Sequence, residues 1–252
     1  MTLPAAFLKI PLAHRALHDV LAGRPENSRA AIRAAIAAGY GIEIDLQLSA
    51  DGHAMVFHDY ALDRLTKERG AIRLRKAADL SAIALNGGTE TIPTLSEVLD
   101  LVAGQVPLLI ELKDQDGGMG PNVGELEAAA ARSLSTYHGP LAVMSFNPHS
   151  VRALAQLLPQ VPRGLITSAY RAEDWPLPQK TCDRLREIPD YNDSGACFIS
   201  HEADDLNRAR VTELKAGGAA VLCWTVKSTT EEKAARDVAQ NITFEGYLPH
   251  RP

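Results

Sequence analysis

Cysteine, aromatic residues and excess basic charge are all scarce in this 252-residue chain. The three cysteines, Cys182, Cys197 and Cys223, lie far apart and form none of the paired spacings that bind zinc or make a redox pair. We therefore expect them to be reduced core residues. The net charge of −5 leaves no broad basic surface, so no nucleic-acid partner is expected.

Long apolar runs are absent as well. No stretch approaches the roughly 20 apolar residues that cross a bilayer, and Lys9 interrupts the apolar residues near the N-terminus. We expect neither an integral membrane segment nor a cleaved leader, and the default location is cytoplasmic. No Walker-type loop or GxSxG motif is present, and no GxGxxG follows a predicted strand, so nucleotide hydrolysis and serine esterase chemistry lack support.

What the sequence does contain is a regular alternation of β-like runs with Ala/Leu-rich helical segments, which favours parallel βα units. The candidate strands are residues 8–13, 41–48, 54–58, 107–113, 141–146, 163–167, 196–200, 219–226 and 242–247. This number is close to what a barrel needs, and the length suits one α/β barrel domain over residues 1–252. The predicted fold is a distorted (β/α)8 TIM barrel.

Two connections depart from a strict repeat. Residues 49–52 are too short for a helix and contain the Asp51-Gly52 pair favoured in hairpins, which predicts antiparallel strands on either side. Residues 59–95 show no strong strand pattern and predict a small helical insertion after the third strand. The clearest helix covers residues 28–38, with Asn27 or Ser28 as N-cap and Gly39 as its stop.

Three carboxylates are predicted to face the inside of the barrel. Alternation along residues 41–48 places Glu43 and Asp45 on one face and four aliphatic side chains on the other, and Glu111 follows the same logic in its own strand. Buried unpaired charges are costly, so a cation is expected beside them. Oxygen ligands of this kind suit Mg²⁺ or Ca²⁺. The alternative is that Glu43 or Asp45 forms an ion pair with Arg15 or Lys113.

His14 and His58 each stand where a predicted strand ends. Because histidine exchanges a proton near neutral pH, two histidines can divide the roles of base and acid in a hydrolysis that needs both. A structural role for either one alone remains open. His201, followed by Glu202, is a weaker candidate because it also follows a predicted strand.

Arg15 and Lys113 stand beside these residues and are candidates for binding a phosphate, or partners of the carboxylates, or both. Glu26 and Asn27 are candidates for orienting the neighbouring groups by hydrogen bonds, although Asn27 is equally explained as a helix cap.

Trp224 lies in a predicted strand whose alternation places it on the side of Leu222 and Val226. That position is compatible with an ordinary core residue. It is equally compatible with a residue that lines a binding pocket.

Several different short motifs follow one another in a specific order along nearly the whole chain. They are HR at 14–15, PENS at 25–28, EID at 43–45, DGHAMVFHD at 51–59, IPTLSEVLD at 92–100, IELK at 110–113, SF at 145–146 and WTV at 224–226. Each motif is weak alone, but the ordered set resembles the glycerophosphodiester phosphodiesterase family, in particular its small bacterial members.

The resemblance implies a barrel, one divalent cation, and hydrolysis of a small-molecule glycerophosphodiester to sn-glycerol 3-phosphate and an alcohol. Carried over motif by motif, it implies the following roles: His14 and His58 as the acid/base pair, Glu43, Asp45 and Glu111 as metal ligands, Arg15 and Lys113 as phosphate binders. It does not indicate an oligomeric state or the alcohol of the substrate.

The chain also departs from the family pattern. Ala16 replaces the usual glycine after the HR pair, which adds a Cβ where the backbone could run close to a ligand, and the C-terminal segment reads TFEGYLPHRP in place of a TDxP-like turn. Two other interpretations stay open: cleavage of another phosphodiester, such as a lysophospholipid, or a non-catalytic barrel that binds phosphate esters. The attacking group could be water or the neighbouring glycerol hydroxyl.

Overall fold

A computed structural model describes residues 1–250 of the chain. The strands are β1 (Leu12–Ala13), β2 (Gly41–Leu48), β3 (Ala54–Val56), β4 (Leu108–Leu112), β5 (Leu141–Ser145), β6 (Arg163–Thr167), β7 (Phe198–Glu202), β8 (Ala220–Val226) and β9 (Asn241–Phe244). Eight of them are parallel, and the pairing of β1 with both β2 and β9 closes the sheet into a barrel. The predicted TIM-barrel fold is confirmed.

Helices follow most of the strands and surround the barrel. They are α1 (Ala6–Lys9), α2 (Arg29–Ala38), α3 (Ala77–Leu80), α4 (Leu95–Val102), α5 (Glu125–Leu134), α6 (Pro148–Leu157), α7 (Gln179–Arg186), α8 (Ala209–Ala216) and α9 (Thr229–Ala235). Short 3-10 turns cover Val20–Ala22, Ile72–Leu74 and Ala203–Asp205. Within residues 1–250, no helix has both the length and the apolar character needed to span a bilayer.

Helix α2 shows how the local sequence sets its ends. The Ser28 hydroxyl accepts a hydrogen bond from the Ala31 backbone N–H and caps the helix, and Gly39 ends it in the left-handed region, at φ 72°. Ser28 is thus the cap, and the alternative prediction that Asn27 caps the helix is wrong. The side chain of Asn27 is directed into the barrel.

The alternation predicted for β2 is confirmed. The aliphatic side chains on one face pack into the layer between the barrel and the helices, where Ile44 belongs to the same apolar cluster as Ile32 and Leu99. The carboxylates on the other face are buried inside the barrel. Strand β3 pairs with β2 in antiparallel fashion, as the Asp51-Gly52 turn predicts.

The predicted insertion lies between β3 and α4 and contains one 3-10 turn and the four-residue helix α3. It has an apolar cluster of its own, separate from the main core. The cluster consists of Met55, Phe57, Leu62, Ile72, Ala77, Leu80, Leu85 and Ile92. This cluster holds the irregular segment against β3, beside the mouth of the barrel.

The first predicted strand, residues 8–13, is wrong over most of its length. The structure has a helix at Ala6–Lys9, and only Leu12–Ala13 forms a strand. Phe7, Leu12 and Phe198 belong to the apolar cluster inside the barrel. An apolar segment that fills the inside of the barrel has the same composition as a buried strand, so periodicity could not separate the two.

Two further predictions at strand ends need correction. Strand β7 covers Phe198–Glu202, so His201 and Glu202 lie within the strand and do not follow it. In β8 the register shifts between Cys223 and Val226, so Val226 joins the outer apolar cluster while Trp224 stays on the inner side. The simple alternation expected for Trp224 and Val226 fails because the strand is irregular there.

Candidate active site

One cavity of about 230 Å³ opens among the C-terminal ends of the strands. In a barrel of this type, that face carries the loops that follow the strands. Its lining includes the charged or polar residues His14, Arg15, Glu43, His58, Glu111, Lys113, Thr225, Lys227, Thr243 and Glu245 and the apolar wall Met144, Phe146, Ile166 and Trp224. Most of the predicted site residues therefore meet in one place.

The predicted carboxylates form a tight buried cluster. Strands β2 and β4 are neighbours, and their register sets Asp45 beside Glu111. One oxygen from each of Glu43, Asp45 and Glu111 lies within 4.8 Å of the others, and all three residues are buried. An all-carboxylate set of this size fits a hard divalent cation such as Mg²⁺ or Ca²⁺.

Two cationic side chains contact the same cluster. Lys113 Nζ lies 2.7 Å from both Asp45 Oδ1 and Glu111 Oε1, and Arg15 Nε lies 3.8 Å from Asp45 Oδ2. The ion pairs considered as the alternative to a metal are thus present for Asp45. They do not satisfy the cluster, because three carboxylates face two cations and Arg15 also pairs with Glu26.

Proton affinities reflect this excess of negative charge. Burial, followed by repulsion from Asp45 and Glu111, raises the pKa of Glu43 well above its usual range. Burial also raises the pKa of Glu111, although the Lys113 charge opposes the rise. The pKa of Asp45 is lowered, because the charges of Lys113, His58 and Arg15 outweigh burial. A bound divalent cation would relieve the repulsion that raises the other two pKa values.

Asn27, two residues before the start of α2, forms hydrogen bonds with one carboxylate residue of the cluster. Its side-chain Nδ2 donates to Asp45 Oδ2 at 2.9 Å, and its Oδ1 accepts from the Asp45 backbone N–H at 3.3 Å. The residue is in the left-handed region, at φ 58°, which asparagine tolerates better than most residues. These two bonds fix the orientation of the Asp45 carboxylate.

His14 is held by a residue that the sequence reasoning missed. Its Nδ1 lies 2.7 Å from Glu245 Oε2, at the end of the last strand. Burial lowers the pKa of His14, and the hydrogen bond with Glu245 opposes that shift only in part. Alternation along β9 sets Glu245 on the same inward side as Thr243, and this pattern could have revealed it.

His58 has a carboxylate partner of its own. Its Nδ1 lies 2.6 Å from Oδ1 of the adjacent Asp59, which was not among the predicted residues. The Phe57 backbone N–H donates to the Asp45 carbonyl at 3.0 Å, so the chain that carries His58 is tied to β2. Both histidines are thus paired with a carboxylate at the same pocket.

Trp224 lines the pocket. Its Nε1 donates to the Ser200 carbonyl at 3.0 Å, and its ring packs edge to face against Phe146 with centroids 5.5 Å apart. The indole is therefore fixed at one end by a hydrogen bond, while its apolar surface faces the cavity.

His201 and Ala16 both lie away from the cavity. His201 is fully buried, with its Nδ1 2.7 Å from Thr167 Oγ1 and its Nε2 3.3 Å from Asp205 Oδ2. Ala16 adopts φ 65°, and its methyl group packs in the outer apolar cluster, so its Cβ is not part of the cavity lining.

The chain is similar in sequence to one family of known proteins. Residues 14–241 match the model of the glycerophosphoryl diester phosphodiesterase family. The glycerophosphodiester phosphodiesterase of Caldanaerobacter subterraneus subsp. tengcongensis is 32% identical over 60% of this chain and 65% of that protein. The Bacillus subtilis protein YhdW is 30% identical over 86% of both chains.

A solved structure agrees with these sequence relatives. The structure of an Oleispira antarctica phosphodiesterase in complex with the product sn-glycerol 3-phosphate superimposes with a TM-score of 0.76 at 26% identity, over 94% of this chain and 93% of that one. This chain therefore belongs to the glycerophosphoryl diester phosphodiesterase family.

Proposed function

We propose that this chain hydrolyses glycerophosphodiesters to sn-glycerol 3-phosphate and an alcohol, with one divalent cation and with His14 and His58 as its acid/base pair. The observation that carries the proposal is that two carboxylate-paired histidines line one cavity together with Glu43 and Glu111, two members of the cluster of three carboxylates. Family membership and the product named for the Oleispira antarctica relative support the substrate class.

Glu43, Asp45 and Glu111 are the proposed metal ligands. A bound Mg²⁺ or Ca²⁺ would supply charge stabilisation at the phosphate oxygens. The support for this part of the proposal is the buried all-oxygen donor set and its uncompensated negative charge.

Arg15 and Lys113 are proposed to bind the phosphate beside that cation. Arg15 lines the cavity, and its buried Nε has no hydrogen-bond partner within residues 1–250, with Asp45 Oδ2 3.8 Å away. Lys113 contributes a second positive charge at the same place. Glu26 and Asn27 act by positioning, since one pairs with Arg15 and the other holds Asp45.

Each histidine has one ring nitrogen engaged by a carboxylate. Because a carboxylate accepts, the Nδ1 atoms of His14 and His58 carry the proton in these pairs, and each Nε2 remains for proton transfer with the substrate. The lowered pKa of His14 favours its neutral form near pH 7, the form that a general base requires. The attacking group could be water or the neighbouring glycerol hydroxyl, and detection of a cyclic phosphate would identify the second.

The alcohol portion of the substrate is proposed to lie against the apolar wall that includes Phe146 and Trp224. The same wall keeps a lysophospholipid as a second candidate substrate, because an acyl chain would also need apolar contacts. The cavity volume of about 230 Å³ favours the smaller glycerophosphodiesters.

The direct test is release of glycerol 3-phosphate from glycerophosphocholine and glycerophosphoethanolamine, with Mg²⁺, with Ca²⁺ and with chelator. We expect turnover that requires the metal and drops by about 10²- to 10⁴-fold in His14→Ala and in His58→Ala, the range for loss of an acid or base. His138→Gln, an exposed histidine, is the control. Turnover of lysophospholipid alone would favour the second substrate, and tight binding without any turnover would favour a binding barrel.

A further inference from the structure

Arg64 stands in the insertion, outside the cavity lining, and binds two carboxylates at once. Its Nη1 and Nη2 donate to the two carboxylate oxygens of Glu26 at 2.9 Å each. Its Nε and Nη2 donate to the two oxygens of Asp59 at 2.7 Å each. Both contacts are bidentate, so four short charge-assisted bonds converge on a single guanidinium.

Each of these carboxylates continues to a residue of the proposed site. Asp59 Oδ1 lies 2.6 Å from Nδ1 of His58, and Glu26 Oε1 accepts from Nη1 of Arg15 at 2.9 Å. One unbroken chain of contacts therefore joins a histidine of the acid/base pair to the arginine proposed to bind the phosphate. Arg64 is the central link of that chain.

The charges explain why an arginine is needed at this position. Glu26 and Asp59 are both largely shielded from solvent, and two carboxylates around one point repel each other unless a cation lies between them. Burial would raise the pKa of both acids, yet their bonds with the neighbouring cations and with His58 outweigh it and lower both values. Only a planar fork satisfies two carboxylates bidentately, and a lysine ammonium cannot do so.

We propose that Arg64 is a positioning residue that fixes His58 and Arg15 relative to each other by clamping Asp59 and Glu26. The inference rests on the proposed function, because it concerns the same site. It also gives the insertion a role in that site, because the insertion supplies the residue that connects the Asp59–His58 pair to the Glu26–Arg15 pair.

The rival explanation is that Arg64 only attaches the insertion to the barrel. In that case its loss would lower stability. Any fold-change in kcat that the loss causes would be the same whether or not Glu26 and Asp59 are also substituted. Under the positioning role, its effect passes through these two acids and disappears once both are neutralised. The two explanations therefore differ in the coupling between substitutions.

The experiment compares Arg64→Gln, Arg64→Lys and the control Arg69→Gln in the full chain. Arg69 is exposed, lies in the same insertion and makes no side-chain hydrogen bond or ion pair within residues 1–250. With glycerophosphocholine and metal present, we expect R64Q to lower kcat by about 10- to 100-fold, the range for outer partners that orient site residues. R64K should recover only part of this, and R69Q should match the unchanged protein.

The decisive step repeats R64Q in a chain that already carries Glu26→Gln and Asp59→Asn. We expect R64Q to change kcat there by less than about twofold, because both acids through which it acts are already neutral. A full 10-fold loss in that background, or R64Q activity equal to R69Q in the native background, would overturn the positioning role.

A binding measurement separates this inference from the proposed function. Titration of sn-glycerol 3-phosphate into the unchanged protein, R64Q and R69Q measures the Kd of the product. This Kd reports on the phosphate contact proposed for Arg15 and needs no turnover. We expect weaker binding in R64Q alone. Absence of turnover in the unchanged protein would count against the proposed hydrolysis, whereas equal product binding by all three proteins would count against Arg64.

Discussion

Glu245 and His14 lie 231 positions apart in the sequence and meet through a 2.7 Å contact between Glu245 Oε2 and His14 Nδ1. The contact exists because β9 pairs with β1, which brings the last strand of the barrel beside the first. Glu245 also forms an ion pair with Lys227, whose Nζ lies 3.2 Å from Glu245 Oε1. The carboxylate is thus part of the pocket wall and holds one ring nitrogen of the histidine.

This contact predicts that Glu245→Ala lowers kcat by about 10- to 100-fold with little change in KM, because it disorients His14 but does not remove it. Glu245→Gln should lose less, since the amide oxygen still accepts from Nδ1. Steady-state kinetics with glycerophosphocholine measure both. Glu213→Gln, at an exposed surface pair, is the control. Activity of E245A within twofold of the unchanged protein would mean that the contact has no role in turnover.

The carboxylate cluster predicts metal-dependent stability. Mg²⁺ or Ca²⁺ at 100 times its Kd should stabilise the unchanged protein by about 2.7 kcal/mol, or roughly 5–10 °C in Tm. Glu111→Gln should respond much less, because one of three ligands loses its charge. Thermal unfolding with metal and with chelator makes the comparison, and Glu68→Gln, on the surface, should respond like the unchanged protein. Equal metal responses in all three proteins would rule out Glu111 as a ligand.

His201 predicts part of the pH dependence of stability. Burial lowers its pKa, and the neighbouring Asp205 opposes the shift only in part, while Arg208 adds to it. The unfolded chain therefore binds more protons between the two pKa values, so the free energy of unfolding is greatest above about pH 6.5 and falls as the pH drops. The slope from this residue is at most about 1.4 kcal/mol per pH unit.

Urea unfolding between pH 5 and pH 8 tests that slope. His201→Gln should flatten the decline at acid pH, whatever its effect on stability at pH 8. It should not abolish the decline, because burial lowers the pKa of His14 in the same direction. His138→Gln, at an exposed position, should keep the full slope. A slope unchanged by H201Q would show that His201 binds protons equally in both states.

The conformation of Ala16 predicts that its substitution by glycine hardly changes the stability of the protein. Its φ of 65° disfavours an L-residue by about 1–2 kcal/mol. Glycine would relieve this but would lose a buried methyl group worth about 0.8 kcal/mol and add freedom to the unfolded chain. We expect Ala16→Gly to change the free energy of unfolding by less than about 1 kcal/mol and to leave kcat unchanged. A several-fold rise in kcat would show that the Cβ does obstruct the ligand.

Trp224 predicts a change in substrate affinity. Trp224→Ala should raise KM for glycerophosphocholine by about 10-fold, equivalent to about 1.4 kcal/mol, because it removes a large part of the apolar wall. Trp224→Phe keeps an aromatic ring against Phe146 and should raise KM much less, although it loses the bond to the Ser200 carbonyl. Equal KM values for the two variants would argue that the indole supports the strand and not the substrate.

Much of the fold and of the site is determined by the local sequence. Alternation along Gly41–Leu48 determines that Glu43 and Asp45 face inward, and the Asp51-Gly52 pair determines the hairpin beside them. The Ser28 hydroxyl sets where α2 begins. These features depend on residues only a few positions apart, so pattern and turn chemistry suffice to predict them.

Only the tertiary structure decided those partners of the site residues that lie far away in the sequence. Glu245 reaches His14 because the barrel closes, and Arg64 reaches Glu26, 38 positions away, because an irregular segment without any period folds back over the mouth. The apolar segment that includes Phe7 was predicted in part as strand because filling the barrel requires the same composition as a strand. Contacts between distant segments follow from closure and packing of the whole chain, and no local pattern encodes them.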